Sequence, residues 1–162
     1  MTRRIPGLSA VASDYRAIFC DVWGVLHNGV AVYREAEDAL IRYRKQGGRV
    51  VLLTNSPRPN DGVSMQLDML QADRAAYDAI VTSGDATRQL IADASGPIFH
   101  LGPQRDLPLF EGQGVELTDE EHCQSIVCTG LFEDETEVPE DYRDRLSSLA
   151  ARNIPLICAN PD

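Results

Sequence analysis

The sequence predicts an α/β protein built around a parallel sheet. Short apolar runs at residues 17–20, 49–56 and 79–82 alternate with segments of helical periodicity, the pattern of successive βαβ units. Two of these runs end in residues able to do chemistry, Asp21 and Thr54. Because βαβ crossovers are right-handed and place the carboxyl ends of parallel strands at one edge, both residues should meet there.

Composition limits the classes of protein and partner. The chain has 162 residues, of which 43% are hydrophobic, enough for a buried core. Its 15 Lys and Arg against 25 Asp and Glu give a formal charge of −10, so nucleic acid is not expected as a partner. No apolar run approaches the roughly 18 residues that a membrane span needs, so no membrane association is expected.

The four cysteines favour a reducing compartment. Cys20, Cys123, Cys128 and Cys158 form no Cys-x-x-Cys pair, and no histidine has zinc-ligand spacing to them. Three of them lie in apolar, strand-like runs. Buried reduced thiols in a cytoplasmic protein are therefore favoured over disulfides or a metal site.

A flap is predicted directly after the first strand. Gly24 lets the backbone pass close to whatever Asp21 touches, and Asn28-Gly29 predicts a two-residue hairpin between residues 24–27 and 30–33. His27 is interpreted as a residue of this flap without a chemical role.

Two helices flank the second strand. Residues 34–46 have apolar positions at the three-to-four spacing of a surface helix, and Gly47-Gly48 should end it. After Pro57-Arg58-Pro59, a helix of about a dozen residues is expected around Val63, Leu67 and Leu70.

The third unit pairs a strand at 79–82 with a helix at 83–91. Thr82 and Asp85 have the spacing of a capping box. Helix initiation alone and a role in lining the site both remain open for this segment.

Beyond Gly96 the pattern changes and predicts a second unit. Strands are expected at 97–101, 115–117, 125–128 and 154–159, a turn at Gly102-Pro103, an acidic solvated loop at 133–137 and a helix at 139–152. The predicted domains are therefore 1–96 and 97–162.

The motif Asp21-Val22-Trp23-Gly24-Val25 resembles the first motif of the haloacid dehalogenase (HAD) superfamily, usually Asp-x-Asp-Gly-(Thr/Val), and specifically its class IIA branch of capped phosphatases. The resemblance implies that Asp21 attacks phosphorus and forms an aspartyl-phosphate. The family's second Asp moves the proton of the leaving group. Trp23 occupies that position here.

The resemblance extends along most of the chain. Leu53-Thr54-Asn55-Ser56 resembles the second motif, and residues 97–162 resemble the first half of the class IIA α/β cap. The end of the chain resembles a cap strand leading to the specificity loop, which implies roles in substrate choice for Asn160 and Asp162. The third-motif Lys and fourth-motif Asp pair would lie beyond it, so a chain truncated inside the cap is expected.

A phosphate site needs a cation here, because Asp21 and phosphate oxygens repel each other. Mg²⁺ accepts carboxylate, backbone carbonyl and phosphate oxygens. The resemblance implies the Asp21 carboxylate and the Trp23 carbonyl as metal ligands. It also implies that the Thr54 hydroxyl, with N–H groups near Trp23, Gly24 and Asn55, binds the phosphate.

The resulting hypothesis is a Mg²⁺-dependent hydrolase of small phosphorylated metabolites, slowed by Trp23. One alternative is a non-hydrolysing phosphometabolite-binding or scaffold protein of HAD fold; a receiver-type phospho-acceptor is disfavoured by the flap, the second unit and the lack of an acidic pair. Asp21 as a strand-ending cap and Thr54 as a helix-start hydroxyl are the plainer interpretations. A homo-oligomer is left open.

Overall fold

The computed structural model describes residues 4–160 and has the alternating order of elements that the sequence predicts. The strands are β1 Ala17–Cys20, β2 Arg49–Thr54, β3 Ala79–Thr82, β4 Ile98–Leu101, β5 Leu117–Thr118, β6 Ser125–Cys128 and β7 Leu156–Cys158. The helices are α1 Arg34–Lys45, α2 Asn60–Met69, α3 Ser83–Ala92 and α4 Arg143–Ala151. The fold is therefore α/β, as predicted.

The contacts divide the chain into two compact units. The first runs to Thr54 and resumes at 60–81, and the second contains 55–59 and everything from Thr82 onwards. This division places α3 in the second unit, where the Arg88 guanidinium donates to the carbonyls of Leu109 at 3.1 Å and Pro108 at 2.7 Å. The predicted functional boundary at residue 96 stays a prediction.

The first unit contains a three-stranded sheet of order β1-β2-β3. Strands β1 and β2 are parallel, with Ala17 level with Arg49 and Cys20 level with Leu52. One face of this sheet is covered by α1 and α2. The buried side chains on that side include Val50, Leu52, Leu40, Tyr43, Val63 and Leu67.

The opposite face of this sheet carries exposed apolar side chains. Phe19 is 72% exposed, Leu53 48% and Val81 45%. Parallel sheets are usually covered on both faces. The face is thus an apolar patch of the kind that marks a contact surface.

The second unit contains a parallel sheet of order β5-β4-β6-β7. Strand β5 follows β4 on one side, and β6 returns to the other side, so the strand order reverses between β4 and β6. Its core has two clusters, one around Ile98 and Val127 and the other around Ile126 and Leu149.

The start of α3, the strand β5 and the last helix were each predicted from the sequence. The capping box is confirmed: Thr82 Oγ1 accepts the Asp85 N–H at 2.9 Å, and Asp85 Oδ2 accepts the Thr82 N–H at 3.2 Å. The strand expected at 115–117 is instead the two-residue β5. The helix expected at 139–152 divides into a 3₁₀ turn, Pro139–Tyr142, and α4.

All four cysteines are free. Cys20 and Cys123 are buried as predicted, whereas Cys128 is half-buried and Cys158 is exposed. Within residues 4–160, no helix combines the length and apolar character required to cross a bilayer.

Asp78 connects three elements at the start of β3. Its carboxylate accepts from Arg44 at Nε (3.1 Å) and Nη2 (2.8 Å), from Arg49 Nη1 at 3.0 Å and from the Val50 N–H at 2.8 Å. These hydrogen bonds, those from Arg44 first, hold the pKa of Asp78 well below its usual range. Asp78 therefore ties α1 and β2 to the first residues of β3.

We expect Asp78→Asn to lower the free energy of unfolding at pH 7 and to flatten its acid dependence. A depressed carboxyl pKa contributes stability above the unfolded pKa of about 3.9, and that contribution is lost as pH falls below it. Urea unfolding at pH 7 and pH 3 measures this: the difference between wild type and variant should shrink at pH 3. Asp68→Asn is the matched control, because Asp68 pairs only with Arg74 at the surface. Equal losses in both variants would contradict the prediction.

Candidate active site

Asp21 lies directly after β1, at the carboxyl edge of the first sheet, and is exposed. Its Oδ1 accepts the Val22 N–H at 2.7 Å. Its Oδ2 accepts no hydrogen bond from the described residues. One backbone bond therefore fixes the carboxylate and leaves the other oxygen available for chemistry.

Trp23 lies on the same side of the chain as Asp21. Asp21 is exposed, Val22 is 3% exposed and Trp23 is 62% exposed, an alternation that continues the pattern of β1 and is typical of extended backbone. Alternate side chains of extended backbone point the same way. The indole therefore projects to solvent beside the carboxylate, while Val22 points into the core.

The flap, residues 22–33, begins with a turn around the Val22 carbonyl. That oxygen lies 3.3 Å from the Val25 nitrogen, 2.9 Å from that of Leu26 and 3.3 Å from that of His27. Gly24 has a φ of +74°, which favours glycine, and its N–H donates to the His27 carbonyl at 2.8 Å. The N–H of Gly24, a predicted phosphate-binding residue, is therefore already hydrogen-bonded within the flap. Contact between Gly24 and phosphate stays a prediction.

The predicted hairpin forms, since His27 and Val32 make an antiparallel bridge, but its turn covers residues 28–31 rather than Asn28-Gly29 alone. The Asn28 N–H donates to the Ala31 carbonyl at 3.2 Å, and Asn28 Oδ1 accepts the N–H groups of Val30 at 3.0 Å and Ala31 at 2.9 Å. A two-residue type I′ turn needs positive φ at both central residues, but only Gly29 has it, at +86°. The Asn28 side chain instead caps a longer turn.

His27 anchors the flap from inside. It is 2% exposed, and its Nδ1 accepts the Gly29 N–H at 2.9 Å. Its ring meets the Trp23 ring edge to face, with centroids 5.7 Å apart and planes at 83°. Burial lowers the pKa of His27, so the neutral form is favoured. The lack of charged residues in the sequence around His27 is the feature that indicates a buried histidine.

Thr54 reaches the same edge as Asp21, as predicted. Since Cys20 is level with Leu52, Asp21 is level with Leu53 and Thr54 lies one residue further. Neighbouring strands are about 4.8 Å apart, so the two backbones are close. The Thr54 side chain is only 8% exposed and lies on the buried side, whereas Asp21 is exposed.

Asn55 and Asn160 meet within the second unit. Asn55 Nδ2 donates to Asn160 Oδ1 at 3.3 Å, although 105 positions separate them in sequence. The structure therefore joins a predicted phosphate-binding residue to a predicted specificity residue. Asp162, the other predicted specificity residue, lies outside the described residues.

Two oxygen atoms near Asp21 fit a magnesium ion. Among residues 4–160, no three His, Cys, Asp or Glu side chains cluster to hold a metal. The Asp21 carboxylate, whose Oδ1 keeps a second lone pair beside the Val22 N–H, and the Trp23 carbonyl, which accepts no hydrogen bond from the described residues, are nevertheless hard oxygen donors. Mg²⁺ commonly binds through one or two carboxylates and keeps several waters. These donors would form part of its shell.

A separate pocket of about 360 Å³ lies wholly in the second unit. It opens at the carboxyl ends of β4 and β6, where the strand order reverses. Its lining is Gly102, Pro103, Gln104, Arg105, Phe132 and Glu133, and it includes no predicted site residue.

Residues 18–116 match the model of a family described as haloacid dehalogenase-like hydrolase. A solved hydrolase of the haloacid dehalogenase-like family from Brucella suis 1330 is 51% identical, covers 96% of this chain and has a TM-score of 0.92. The 4-nitrophenylphosphatase from Thermotoga maritima is 24% identical over 94% of this chain, with a TM-score of 0.68. A glycerol phosphate phosphatase from Mycobacterium tuberculosis in complex with magnesium is 20% identical over 94%, with a TM-score of 0.65.

This chain spans 59% of the Brucella chain, 57% of the Thermotoga chain and 46% of the Mycobacterium chain. The last two likenesses show the fold alone. No curated protein matches the chain.

We expect Trp23 fluorescence to titrate with His27 below pH 6.5. Because the His27 pKa is lowered in the folded state, the unfolded state binds the proton more tightly, and stability falls as pH drops below the unfolded pKa of about 6.5. Protonation also removes Nδ1 as the acceptor for Gly29. Emission should therefore change as the pH falls below 6.5.

Matched variants identify the titrating group. His27→Gln should remove the transition while keeping a hydrogen-bond acceptor. His100→Gln should retain it, although burial lowers the pKa of His100 too. Persistence of the transition in His27→Gln would refute this assignment.

Proposed function

This chain belongs to the haloacid dehalogenase-like hydrolases, and we propose that it is a Mg²⁺-dependent phosphatase of small phosphate monoesters with Asp21 as the nucleophile. The observation that carries the proposal is the Asp21 carboxylate, fixed by the Val22 N–H and open at Oδ2 at the edge of a parallel sheet. The names of the similar phosphatases support phosphate monoesters as the substrate class.

In the proposed reaction, Asp21 Oδ2 attacks phosphorus and the bond to the leaving-group oxygen breaks. Water then attacks the aspartyl-phosphate, releasing inorganic phosphate and restoring the carboxylate. Bound Mg²⁺ would offset the repulsion between carboxylate and phosphate. The Trp23 N–H, which has no partner among the described residues, is the backbone donor best placed to hold a phosphate oxygen.

Trp23 cannot supply the proton that the leaving-group oxygen needs in this reaction. An indole N–H donates hydrogen bonds but does not exchange its proton near neutral pH. The leaving oxygen must therefore depart as an anion or take a proton from water. Esters with acidic leaving groups, such as aryl or acyl phosphates, should react fastest.

The absence of a proton-transfer carboxylate at position 23 also favours one alternative, a phosphometabolite-binding or scaffold protein that no longer hydrolyses its ligand. Measured turnover distinguishes the two. The free thiols of Cys20 and Cys123 support a cytoplasmic location.

Asp21→Asn should reduce phosphatase activity of the natural full-length protein to background. The amide keeps the size of the side chain but removes the nucleophilic charge. Release of inorganic phosphate from phenyl phosphate with Mg²⁺ measures this. Asp38→Asn, on the exposed side of α1, is the control and should keep wild-type rates. Substantial activity in Asp21→Asn would show that the nucleophile is another residue.

Trp23→Asp should speed hydrolysis of alkyl phosphates more than of aryl phosphates. General acid–base catalysis contributes about 10²–10⁴ in rate, and it matters most for basic leaving groups. Initial rates over a series of esters with graded leaving-group acidity, with acid-quench trapping of the Asp21-phosphate, provide the measurement. A wild type with no dependence on the leaving group would mean that another residue moves the proton.

A further inference from the structure

We propose that Trp23 is a specificity-determining residue whose indole stacks against an aromatic ring of the substrate. The inference rests on the proposed function and narrows its substrate class to phosphate esters with a planar ring close to the phosphate.

The indole is held along one edge and open elsewhere. A Cβ added to Gly29 would lie 2.6 Å from Trp23 Cη2 and 2.7 Å from Cζ3, so the six-membered ring packs directly on the Gly29 backbone. His27 contacts the indole edge to face, and the same His27 accepts the Gly29 N–H. Trp23 is still 62% exposed. A large aromatic surface is therefore offered to solvent with little conformational freedom left to lose on binding.

The position of the indole suits a substrate group attached to phosphate. Asp21 and Trp23 project to the same side of the chain, with the buried Val22 between them. Two residues of extended chain span roughly 6–7 Å. An organic group within a few bonds of a phosphate at Asp21 therefore comes within reach of the indole.

The surroundings of the indole favour an uncharged ring over a cation. Residues 22–33 contain no Asp, Glu, Lys or Arg. The other exposed apolar side chains of the flap include Val25 at 43% and Val30 at 84%. A cationic group could be attracted to the indole face, but the flap carries no carboxylate, and the nearest one, Asp21, would be occupied by Mg²⁺ and phosphate in the proposed function. A ring gains both apolar burial and aromatic stacking.

Binding can be measured without turnover. Benzylphosphonate and cyclohexylmethylphosphonate share the phosphonate and the linker and differ in the ring. With Mg²⁺ present, benzylphosphonate should bind the natural full-length protein about 2- to 12-fold more tightly, the range of a typical aromatic pair. Quenching of tryptophan emission by the aromatic ligand that is lost in Trp23→Phe reports stacking on Trp23 directly.

Four variants test the assignment, with calorimetry replacing fluorescence where the tryptophan is removed. Trp23→Leu should abolish the preference for the aromatic ligand, and Trp23→Phe should retain part of it. Gly29→Ala keeps the indole but displaces it, so the preference should also fall. Tyr15→Leu is the control: Tyr15 is 63% exposed and precedes β1, at the opposite end of the strand from Asp21, and its loss should change nothing.

Hydrolysis of benzyl and cyclohexylmethyl phosphate separates this inference from the proposed function. The two leaving alcohols have similar acidity, so a higher kcat/KM for the benzyl ester in wild type, lost in Trp23→Leu, supports stacking. Ring-selective binding without hydrolysis of any ester would refute the proposed function and support the stacking site. Hydrolysis with equal kcat/KM and equal phosphonate affinities would refute the stacking site alone. Failure of both phosphonates to bind, or tighter binding of phosphocholine than of benzylphosphonate, would also overturn it.

Discussion

The burial of Val22 is the constraint on which the site depends. Val22 is 3% exposed; its N–H holds Asp21 Oδ1, and its carbonyl faces the first N–H groups of the flap. One residue therefore orients the proposed nucleophile, closes the turn and directs Trp23 to solvent. A polar residue here would keep these backbone groups but would lose apolar burial of about 1.5–3 kcal/mol, the energy that holds them in place.

The parallel elements were predictable because strong local patterns determine them. Apolar runs that end in Asp21 and Thr54 gave β1 and β2, and the Thr82 capping box fixed the start of α3. The flap hairpin was predicted but its turn length was not, because the Asn28 side chain competes with backbone pairing and dipeptide identity alone does not show which prevails. Likewise, the register places Thr54 one residue beyond the level of Asp21 and leaves its side chain buried, and strand register is a tertiary property.

Charge favours a cation at this edge in the proposed function. The sequence carries a formal charge of −10, and residues 22–33 supply neither Lys nor Arg to balance phosphate beside Asp21. Two unit charges 4 Å apart interact by about 4 kcal/mol at an effective dielectric constant of 20, which opposes the approach of a phosphate to a carboxylate. An ion bound by the Asp21 carboxylate and the Trp23 carbonyl would convert this repulsion into attraction.

In the proposed reaction, Trp23 replaces a carboxylate that would move the proton and instead offers a ring for the substrate to stack on. The lost proton transfer is worth about 10²–10⁴ in rate, or roughly 3–5 kcal/mol, whereas a stacked ring returns about 0.5–1.5 kcal/mol. Stacking alone therefore does not compensate. The exchange becomes reasonable when the ring itself carries the ester oxygen, because an aryl leaving group needs little protonation and also reaches the indole. A single substrate feature, an aromatic ring bonded directly to the phosphate oxygen, then satisfies both the missing proton and the exposed indole beside Asp21.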